Sequence, residues 1–463
     1  MKLVWLRNDL RLDDNPALYA ACQGTTPVRA VYIATPKQWL QHDESAAKLG
    51  FRSAALTDLE SKLAEFGIDF ELLQASYFSD IADLLADYCQ RHTVTDLYFN
   101  REIPLHEQDR DNQVCQRLTA LNINCHTGNA DLLICEPIQN LQGQSYKVFT
   151  PWYKAWLKQL NNQDNTPLTA PKAVGSALNT PNTEHVKLPN SGEFRDDLWP
   201  ASEQDALQHL AQFCQRRLHR YSDTRDFPAI NGTSTLSPYL ASGLVSPRRC
   251  LMAIQQTAFE QGWDWRESTW LRELGWREFY RYLMISFPHI SQGKPFKTTP
   301  QQWPWRENPA LLSAWQTGNT GFPIIDAAMR QLVSTGWMHN RLRMLVASFL
   351  CKLMLIDWRE GERFFMQQLI DGDFASNNGG WQWSASTGCD ASPWFRIFNP
   401  TTQSQKFDAE GKFIRKFLPE LAELDNKQIH NPSNTIRQKL GYPDPIIDYK
   451  TARERAISAL NKD

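Results

Sequence analysis

The chain of 463 residues contains no run of 18 apolar residues, the length that a membrane-spanning helix requires. It has no CxxC pair, and its nine cysteines and ten histidines are scattered without metal-ligand spacing. GxGxxG and Walker loops are missing, so the common dinucleotide and triphosphate sites find no support. Charges at Lys2 and Arg7 interrupt what would be the apolar core of a secretory signal. We therefore expect a cytoplasmic protein with reduced thiols, no metal site and no membrane span.

Charge and tryptophan are distributed unevenly along the chain. Residues 1–200 carry 18 Lys and Arg against 25 Asp and Glu, whereas residues 201–463 carry 31 against 26. The second part also holds 12 of the 17 tryptophans. A polyanion is therefore expected to bind the second part, where basic and aromatic side chains are concentrated.

Alternating strand and helix patterns predict an α/β domain at residues 1–130. The predicted strands are 3–6, 28–34, 68–73, 96–99 and 123–125, and the predicted helices between them are 46–66, 78–90 and 105–121. This alternation is typical of a doubly wound, Rossmann-like parallel sheet, which binds ligands at the carboxyl ends of its strands.

The remainder is predicted to be a connector followed by an all-α domain. Residues 131–200 form the connector, and from 161 onward it is rich in Asn, Pro, Thr and Ser. Residues 201–463 form the helical domain, with amphipathic patterns at 205–221, 248–261, 269–284, 324–335, 341–354 and 359–369.

One stretch has a composition that no amphipathic helix or strand explains. Residues 371–383 read DGDFASNNGGWQW, and residues 387–400 read TGCDASPWFRIFNP. Small residues let the backbone approach a flat ligand, Asp and Asn bond its polar edge, and Trp offers stacking faces. The stretch has no metal cluster or nucleophile pair, so we predict a site for a large planar cofactor used in electron transfer or light capture. A Gly/Ser-rich loop with a few core aromatics is the alternative.

These two segments, together with WLRNDLRLDDN at residues 5–15, resemble the DNA photolyase/cryptochrome family, most of all its bacterial class I cyclobutane pyrimidine dimer photolyases. The resemblance covers nearly the whole chain. It implies a carbon–carbon lyase in which light excites reduced FAD, which passes one electron to a pyrimidine dimer and later regains it. Photolyases are standard examples of enzymes that flip the target base out of the duplex. The implied partner is dimer-containing DNA, bound by a monomer.

The resemblance also implies which residues bind FAD. The segment GTSTLSP at 232–238 places hydroxyls before a helix, where they suit the flavin diphosphate, although an ordinary helix cap would explain it alone. Asn377 is expected at flavin N5, where plant cryptochromes carry Asp and animal ones Cys, and Arg343 is expected to pair with Asp371. The implied contacts are Tyr221, Thr233, Ser234, Thr235, Leu236, Ser237, Trp270, Arg277, Asn340, Arg343, Asp371, Asp373 and Asn377.

For the DNA lesion, the resemblance places Glu273 at the carbonyl side of the dimer, where it stabilises the radical anion. Trp276 stacks on the dimer and Trp383 forms the opposite wall. Asn340 and Met344 stand where (6-4) photolyases carry a histidine pair, which favours cyclobutane dimers. The implied DNA contacts are Arg225, Glu273, Trp276, Arg277, Asn340, Arg341, Met344, Trp383, Arg396 and Lys406.

Two further features are implied. Trp381, Trp358 and Trp305 match the family's relay of oxidisable indoles that reduces the flavin, although each alone would be a core residue. Glu107 matches the contact to a light-harvesting antenna, with methenyltetrahydrofolate favoured. His106 and Gln292 stand where folate-binding relatives carry Asn and Lys. The alternative interpretation, that Glu107 is a solvated residue on a helix, is therefore equally well supported. A cryptochrome photoreceptor, a (6-4) photolyase and a light-independent flavin or nucleotide-binding protein remain rivals.

Overall fold

The structure, a computed structural model, describes residues 1–173, 185–297 and 305–460. They divide into two units. The first comprises Met1–His219, Ser234–Ser291 and Ile370–Ala375, and the second comprises Arg220–Thr233, Gln292–Leu369 and Ser376–Asp463. Part of the predicted connector, 174–184, lies outside the described residues.

A five-stranded parallel sheet forms the centre of the first unit. Its order is β3-β2-β1-β4-β5, and its strands are β1 Lys2–Leu6, β2 Val28–Ala34, β3 Asp69–Gln74, β4 Asp96–Asn100 and β5 Asn124–Gly128. Leu3, Val4 and Leu6 of the central strand are fully buried, as expected of a sheet covered on both faces. The strand order reverses at β1, so the polar residues after Leu6 lie at the switch point of the sheet. The predicted α/β fold is confirmed.

Helices cover the sheet and form the rest of the described protein. In chain order they are α1 Pro16–Ala21, α2 Pro36–Gln41, α3 Ala46–Glu65, α4 Ile81–Arg91, α5 Leu105–Thr119, α6 Phe149–Asn162, α7 Glu203–Arg216, α8 Tyr221–Thr224, α9 Ser237–Ala241, α10 Pro247–Gln261, α11 Thr269–Ser286, α12 Pro309–Gln316, α13 Pro323–Thr335, α14 Asn340–Ser348, α15 Trp358–Gln368, α16 Phe374–Ala385, α17 Pro400–Phe407, α18 Lys412–Phe417, α19 Asn434–Leu440 and α20 Tyr449–Leu460. Among the described residues, no helix is long and apolar enough to cross a membrane.

The second unit is helical and is built around buried tryptophans. Trp315, Trp358 and Trp381 are each at most 2% exposed and belong to one apolar core. Trp381 lies so close to Gly361 of α15 that a Cβ at Gly361 would meet its indole ring. Glycine is therefore required at this contact between α15 and α16.

Residues 371–400 contain a helix that the sequence patterns did not predict. In α16 the buried residues mix polar side chains, Asn378 and Gln382, with the apolar side chains of Trp381 and Ala385. Gln382 Nε2 donates to Asn378 Oδ1 (2.9 Å), Asn378 Nδ2 donates to Glu362 Oε1 (2.8 Å), and Gln382 Oε1 accepts from Phe296 N (2.8 Å). Because this network satisfies their hydrogen bonds, polar side chains can occupy the interior and hide the helical period.

Two other predicted segments also differ. The helix predicted over 341–354 ends at Ser348 and continues as a π-turn, Phe349–Leu353. Within the predicted connector 131–200, α6 is a packed helix whose Trp152 and Trp156 are fully buried. The buried residues of α6, among them Phe149, Trp152 and Trp156, have helical spacing, although the segment adjoins a polar stretch. The predicted domain boundaries stay predictions.

Candidate active site

The hydroxyl-rich segment before α9 is held by a histidine. His209 Nε2, on α7, donates to Ser234 O (2.9 Å) and lies 2.7 Å from Thr235 Oγ1. Burial lowers the pKa of His209, and because a carbonyl oxygen only accepts, the bond to Ser234 O places a proton on Nε2. Thr235 has φ +52°, a left-handed conformation that a threonine adopts only where its surroundings hold it. The half-buried hydroxyls of Ser234 and Ser237 are suitable donors to a diphosphate, whereas Thr235 Oγ1 donates to Ser234 O (2.7 Å).

An arginine–aspartate network fixes the segment 371–373 within the first unit. Arg281 Nη2 donates to Asp373 Oδ2 (2.7 Å), and both Arg277 and Arg281 bond the carboxylate of Asp131. Burial alone would raise the pKa of Asp131, but the two guanidinium groups hold it well below its usual range. Lys48 Nζ adds a bond to the carbonyl of Gly372.

Two residues predicted to contact FAD, Arg277 and Asp373, belong to this network. Arg277 and Asp373 were both assigned to FAD, and Arg277 also to DNA, yet each is ion-paired with a protein group. A DNA phosphate would have to compete with Asp131 for the Arg277 fork. Arg281 and Lys48 were missed because their partners lie far away in the chain, at Asp131, Asp373 and Gly372.

Helix α11 carries Trp270, which is predicted to contact FAD, and Glu273 and Trp276, which are predicted to meet the lesion. Trp270 is 3% exposed and packs edge-on against Phe213, with ring centroids 4.8 Å apart. Glu273 and Trp276 are half-buried. One face of Trp276 stacks on Phe149 at 3.7 Å and an interplanar angle of 8°. This contact fixes the plane of the indole before any ligand binds.

A buried carboxylate on the same helix fixes the neighbouring segment. Glu278 accepts hydrogen bonds from Leu133 N (2.7 Å), Ile134 N (2.8 Å) and Trp156 Nε1 (2.8 Å). Burial raises the pKa of Glu278 to about 7. Glu278 therefore anchors Leu133 and Ile134, which follow Asp131 in the chain. The one sequence signal for Glu278 is its position next to Arg277.

In the second unit, α14 presents the other predicted lesion contacts. Asn340 is exposed and Arg341, Arg343 and Met344 are half-buried, whereas the apolar residues between and after them pack inward. Arg341 Nη2 donates to Asp226 Oδ1 (2.7 Å), and Arg343 Nε donates to Met338 O (2.8 Å). The predicted pairing of Arg343 with Asp371 stays a prediction.

Helix α16 supplies the residue expected at flavin N5. Asn377 Nδ2 donates to Glu362 O (3.0 Å), which fixes the amide and leaves its oxygen and second hydrogen for a ligand. Among the described residues, a Cβ built at Gly380 would meet no atom within 4 Å outside its own helix backbone, so this position leaves space beside α16. Trp383 is half-buried. These donors and this space fit a planar cofactor with polar edges.

The three tryptophans of the predicted relay all belong to the second unit and differ in burial. Trp381 is 2% exposed and Trp358 is 1% exposed, and Trp305 is half-buried at the edge of the same core. The plane of Trp381 is set by Phe365, with ring centroids 5.0 Å apart and an interplanar angle of 88°. Two interior indoles and one that reaches the edge of the core fit transfer between the interior and solvent.

The predicted DNA-binding cations of the second unit are partly accessible. Arg396 and Lys406 are exposed and Arg225 is half-buried. Lys406 Nζ lies 5.1 Å from the ring centroid of Phe407, and Arg225 lies 5.9 Å from that of Tyr221. Tyr221, assigned to FAD, is 8% exposed and begins α8.

Glu107, the predicted antenna contact, is not a solvated helix residue. Its side chain is 16% exposed, and Oε1 lies 3.7 Å from His42 Nδ1. Among the described residues, its Oε2 is buried without a hydrogen-bond partner. Burial raises the pKa of Glu107 to about 7, and the nearby negative charge of Glu102 contributes to this increase. His42 also stacks on His106, with ring centroids 5.2 Å apart. A buried acceptor beside stacked rings fits a planar ligand that carries N–H donors.

Comparisons with known proteins agree with this geometry. Residues 2–172 match the family model for DNA photolyase, and residues 270–462 match the FAD binding domain of DNA photolyase. A deoxyribodipyrimidine photo-lyase of Escherichia coli (strain K12) is 46% identical over 99% of this chain and 98% of its own length. One from Vibrio cholerae is 40% identical over 98% of each.

Solved structures give the same result. A bacterial class III photolyase from Agrobacterium tumefaciens superposes with a TM-score of 0.88 and 35% identity, covering 99% of this chain and 96% of that one. A cryptochrome from Synechocystis sp. PCC6803 has a TM-score of 0.87 and 29% identity, with 99% coverage of both chains.

The parallel sheet, the helical unit and the matched FAD-binding domain define an FAD-dependent flavoprotein with an N-terminal domain that fits an antenna chromophore. The chain belongs to the DNA photolyase family. Among the described residues, no group of three or more His, Cys, Asp or Glu side chains could hold a metal ion.

Proposed function

We propose that this chain is a light-driven lyase that repairs cyclobutane pyrimidine dimers in DNA. The observation that carries the proposal is the face of α11, where half-buried Glu273 and Trp276 provide a polar group and a fixed stacking surface next to each other. Support comes from the full-length similarity to relatives named deoxyribodipyrimidine photo-lyase.

Reduced FAD, when bound, supplies the electron that opens the cyclobutane ring under blue or near-UV light and takes it back afterwards. The residues that would hold it are those with suitable donors and surfaces: Tyr221, Thr233, Ser234, Thr235, Leu236, Ser237, Trp270, Asn340, Arg343, Asp371, Asp373 and Asn377. Asn377 has its amide fixed by Glu362 O, so its oxygen and its second N–H are held in a set orientation for a hydrogen bond at flavin N5. Arg277 has a positioning role: it bonds to Asp131, which also bonds to Arg281, and Arg281 holds Asp373.

At the lesion, Glu273 in its protonated form donates a hydrogen bond to a carbonyl oxygen of the flipped dimer and stabilises the negative charge that develops there. Trp276 contributes one stacking wall, which is rigid because Phe149 supports its far face. Arg225, Arg341, Arg396 and Lys406 bind phosphates, so affinity for DNA falls as salt rises. For Arg341 this requires sharing its guanidinium with Asp226.

The relay and the antenna complete the proposal. Trp305, Trp358 and Trp381 carry an electron inward to reduce the flavin, starting from Trp305, which lies at the edge of the core. Glu107 binds the antenna, methenyltetrahydrofolate, by accepting an N–H hydrogen bond at its buried Oε2. The protein acts as a monomer on DNA of the cytoplasmic nucleoid.

A comparison of two glutamates tests the proposed lesion contact. Glu273→Ala is compared with Glu267→Ala, whose residue is exposed just before α11. With reduced flavin and an oligonucleotide holding one thymine dimer, we expect repair per absorbed photon to fall about 10- to 100-fold for Glu273→Ala only. Equal repair by both variants would remove Glu273 from the chemistry. Flavin that is photoreducible but inactive on this substrate in the wild type would favour a (6-4) lesion or a photoreceptor.

A further inference from the structure

A lysine lies in the interior of the second unit, in the π-turn that follows α14. Lys352 is 1% exposed, and its Nζ donates to two backbone carbonyls, Pro393 O and Arg396 O, each at 3.1 Å. Here the turn directs an ammonium group at the underside of a single short segment of chain.

That segment, residues 393–396, is a tight turn at the surface. Pro393 O accepts a second hydrogen bond from Arg396 N (2.9 Å), which closes the turn. Phe395 is 61% exposed, Arg396 is exposed, and Trp394 packs edge-on against Phe395 with ring centroids 5.5 Å apart. An aromatic ring and a guanidinium presented together suit nucleic acid, which offers bases for stacking and phosphates for pairing.

The turn is also connected to a predicted lesion contact. Ser392 N, just before the turn, donates to Trp383 O (3.1 Å). Lys352 bonds to Pro393, and the preceding residue, Ser392, bonds to Trp383, so the turn connects the lysine to the backbone of Trp383. A shift of the turn would be transmitted to the backbone that carries this indole.

A buried ammonium group at position 352 is energetically unfavourable unless hydrogen bonds to acceptors such as Pro393 O and Arg396 O compensate for the loss of water. Burial lowers the pKa of Lys352 to about 8, Cys351 opposes this, and the charges of Arg396 and Lys297 act in the same direction as burial. Buried ammonium groups require acceptors, and an apolar residue of similar size would stabilise a core as well or better. The role of the amine is therefore to hold the two carbonyls.

We propose that Lys352 is a positioning residue for DNA binding, which fixes the 393–396 turn so that Phe395 and Arg396 are presented to the DNA backbone and bases around the lesion. This inference rests on the proposed function, because it takes the exposed side of the turn to face DNA.

The test measures DNA binding in the dark, so that it does not depend on repair. Lys352→Met removes the donors, and Lys412→Met, at an exposed lysine of α18, is the matched control. For Lys352→Met we expect about tenfold weaker binding of a dimer-containing oligonucleotide and faster hydrogen exchange in residues 390–399. FAD content should remain at the wild-type level. Lys412→Met should match the wild type in all three measurements.

A pH series distinguishes positioning from simple packing. Between pH 7 and pH 9 the amine of Lys352 loses its positive charge, which weakens its two charge-assisted hydrogen bonds, so wild-type affinity should fall more steeply than that of Lys352→Met. Unchanged affinity and unchanged exchange in Lys352→Met would overturn the proposal. If Lys352→Met does not fold, Lys352→Gln keeps an amide donor and should fold with intermediate affinity. Failure of both variants to load FAD would assign Lys352 to folding and overturn its role in positioning. Dark binding that follows the prediction without light-driven repair would instead count against the proposed function alone.

Discussion

Replacing Arg281 by methionine should destabilise the first unit and weaken flavin binding together. Arg281 is 5% exposed on its side chain and bridges two carboxylates, Asp131 and Asp373, whose side chains are 30% and 23% exposed. Removing one partner of a fully buried ion pair costs about 3–5 kcal/mol. Because both carboxylates retain some solvent and Asp131 keeps Arg277, we expect a loss of about 2–3 kcal/mol in the free energy of unfolding.

The pH dependence provides a second signature of this network. The folded-state pKa of Asp131 lies below its unfolded value, so its ion pairs stabilise the protein above about pH 4, and this contribution is lost as the pH falls further. With one guanidinium removed, stability should decline less steeply between pH 5 and pH 3.

Urea unfolding of the flavin-free and flavin-loaded protein at several pH values measures both effects. Arg266→Met is the control, because Arg266 pairs with Asp264 in solvent, and its unfolding midpoint should equal that of the wild type. The reasoning would be refuted if Arg281→Met lost less than about 1 kcal/mol and kept the wild-type pH slope.

Other residues give further expected outcomes. His209→Ala removes the donor to Ser234 O and should raise the Kd for FAD about tenfold, measured by flavin fluorescence, whereas exposed His219→Ala should leave it unchanged. For Glu107, burial raises the pKa to about 7, so its ionisation destabilises the fold as the pH rises from about 4.3 to 7. Glu107→Gln should therefore be more stable than the wild type at pH 8, by thermal unfolding, and should lose the antenna absorbance; equal stability would contradict the burial argument. Trp381→Phe should abolish photoreduction of oxidised flavin, followed by absorbance, yet retain repair when the flavin is reduced chemically.

The sheet was predictable because its strands are apolar and its helices are amphipathic. Ala46–Glu65 and Leu105–Thr119 agree with the predicted helices to within two residues at each end. Local hydrophobic period is enough for such elements, since each strand or helix buries its own apolar residues against the same sheet.

Helix α16 could not be predicted in the same way. Its buried face contains Asn378 and Gln382, whose hydrogen bonds are satisfied by Glu362 and Phe296 from elsewhere in the chain. A sequence pattern records polarity but not the partner that satisfies it, so a buried polar face reads as a loop.

The motifs single out Glu273, Trp276 and Asn377 as candidates, and their roles stay predictions. The sequence does not single out His209, Arg281 and Lys352, because they bond to backbone or carboxylates that are distant in the chain. Their roles depend on tertiary contacts that no local spacing encodes. Glu107 is an intermediate case, because the motif located it but only the structure shows its burial.

The most direct test of the central claim is the fate of a single defined thymine dimer. The wild-type protein with fully reduced flavin is mixed with the oligonucleotide, half of the sample is illuminated with blue light, and the bases of both halves are separated and quantified. We predict restored thymine in the illuminated half and an intact dimer in the dark half. An intact dimer in both halves, with DNA bound and the flavin still reduced, would contradict the proposed repair function.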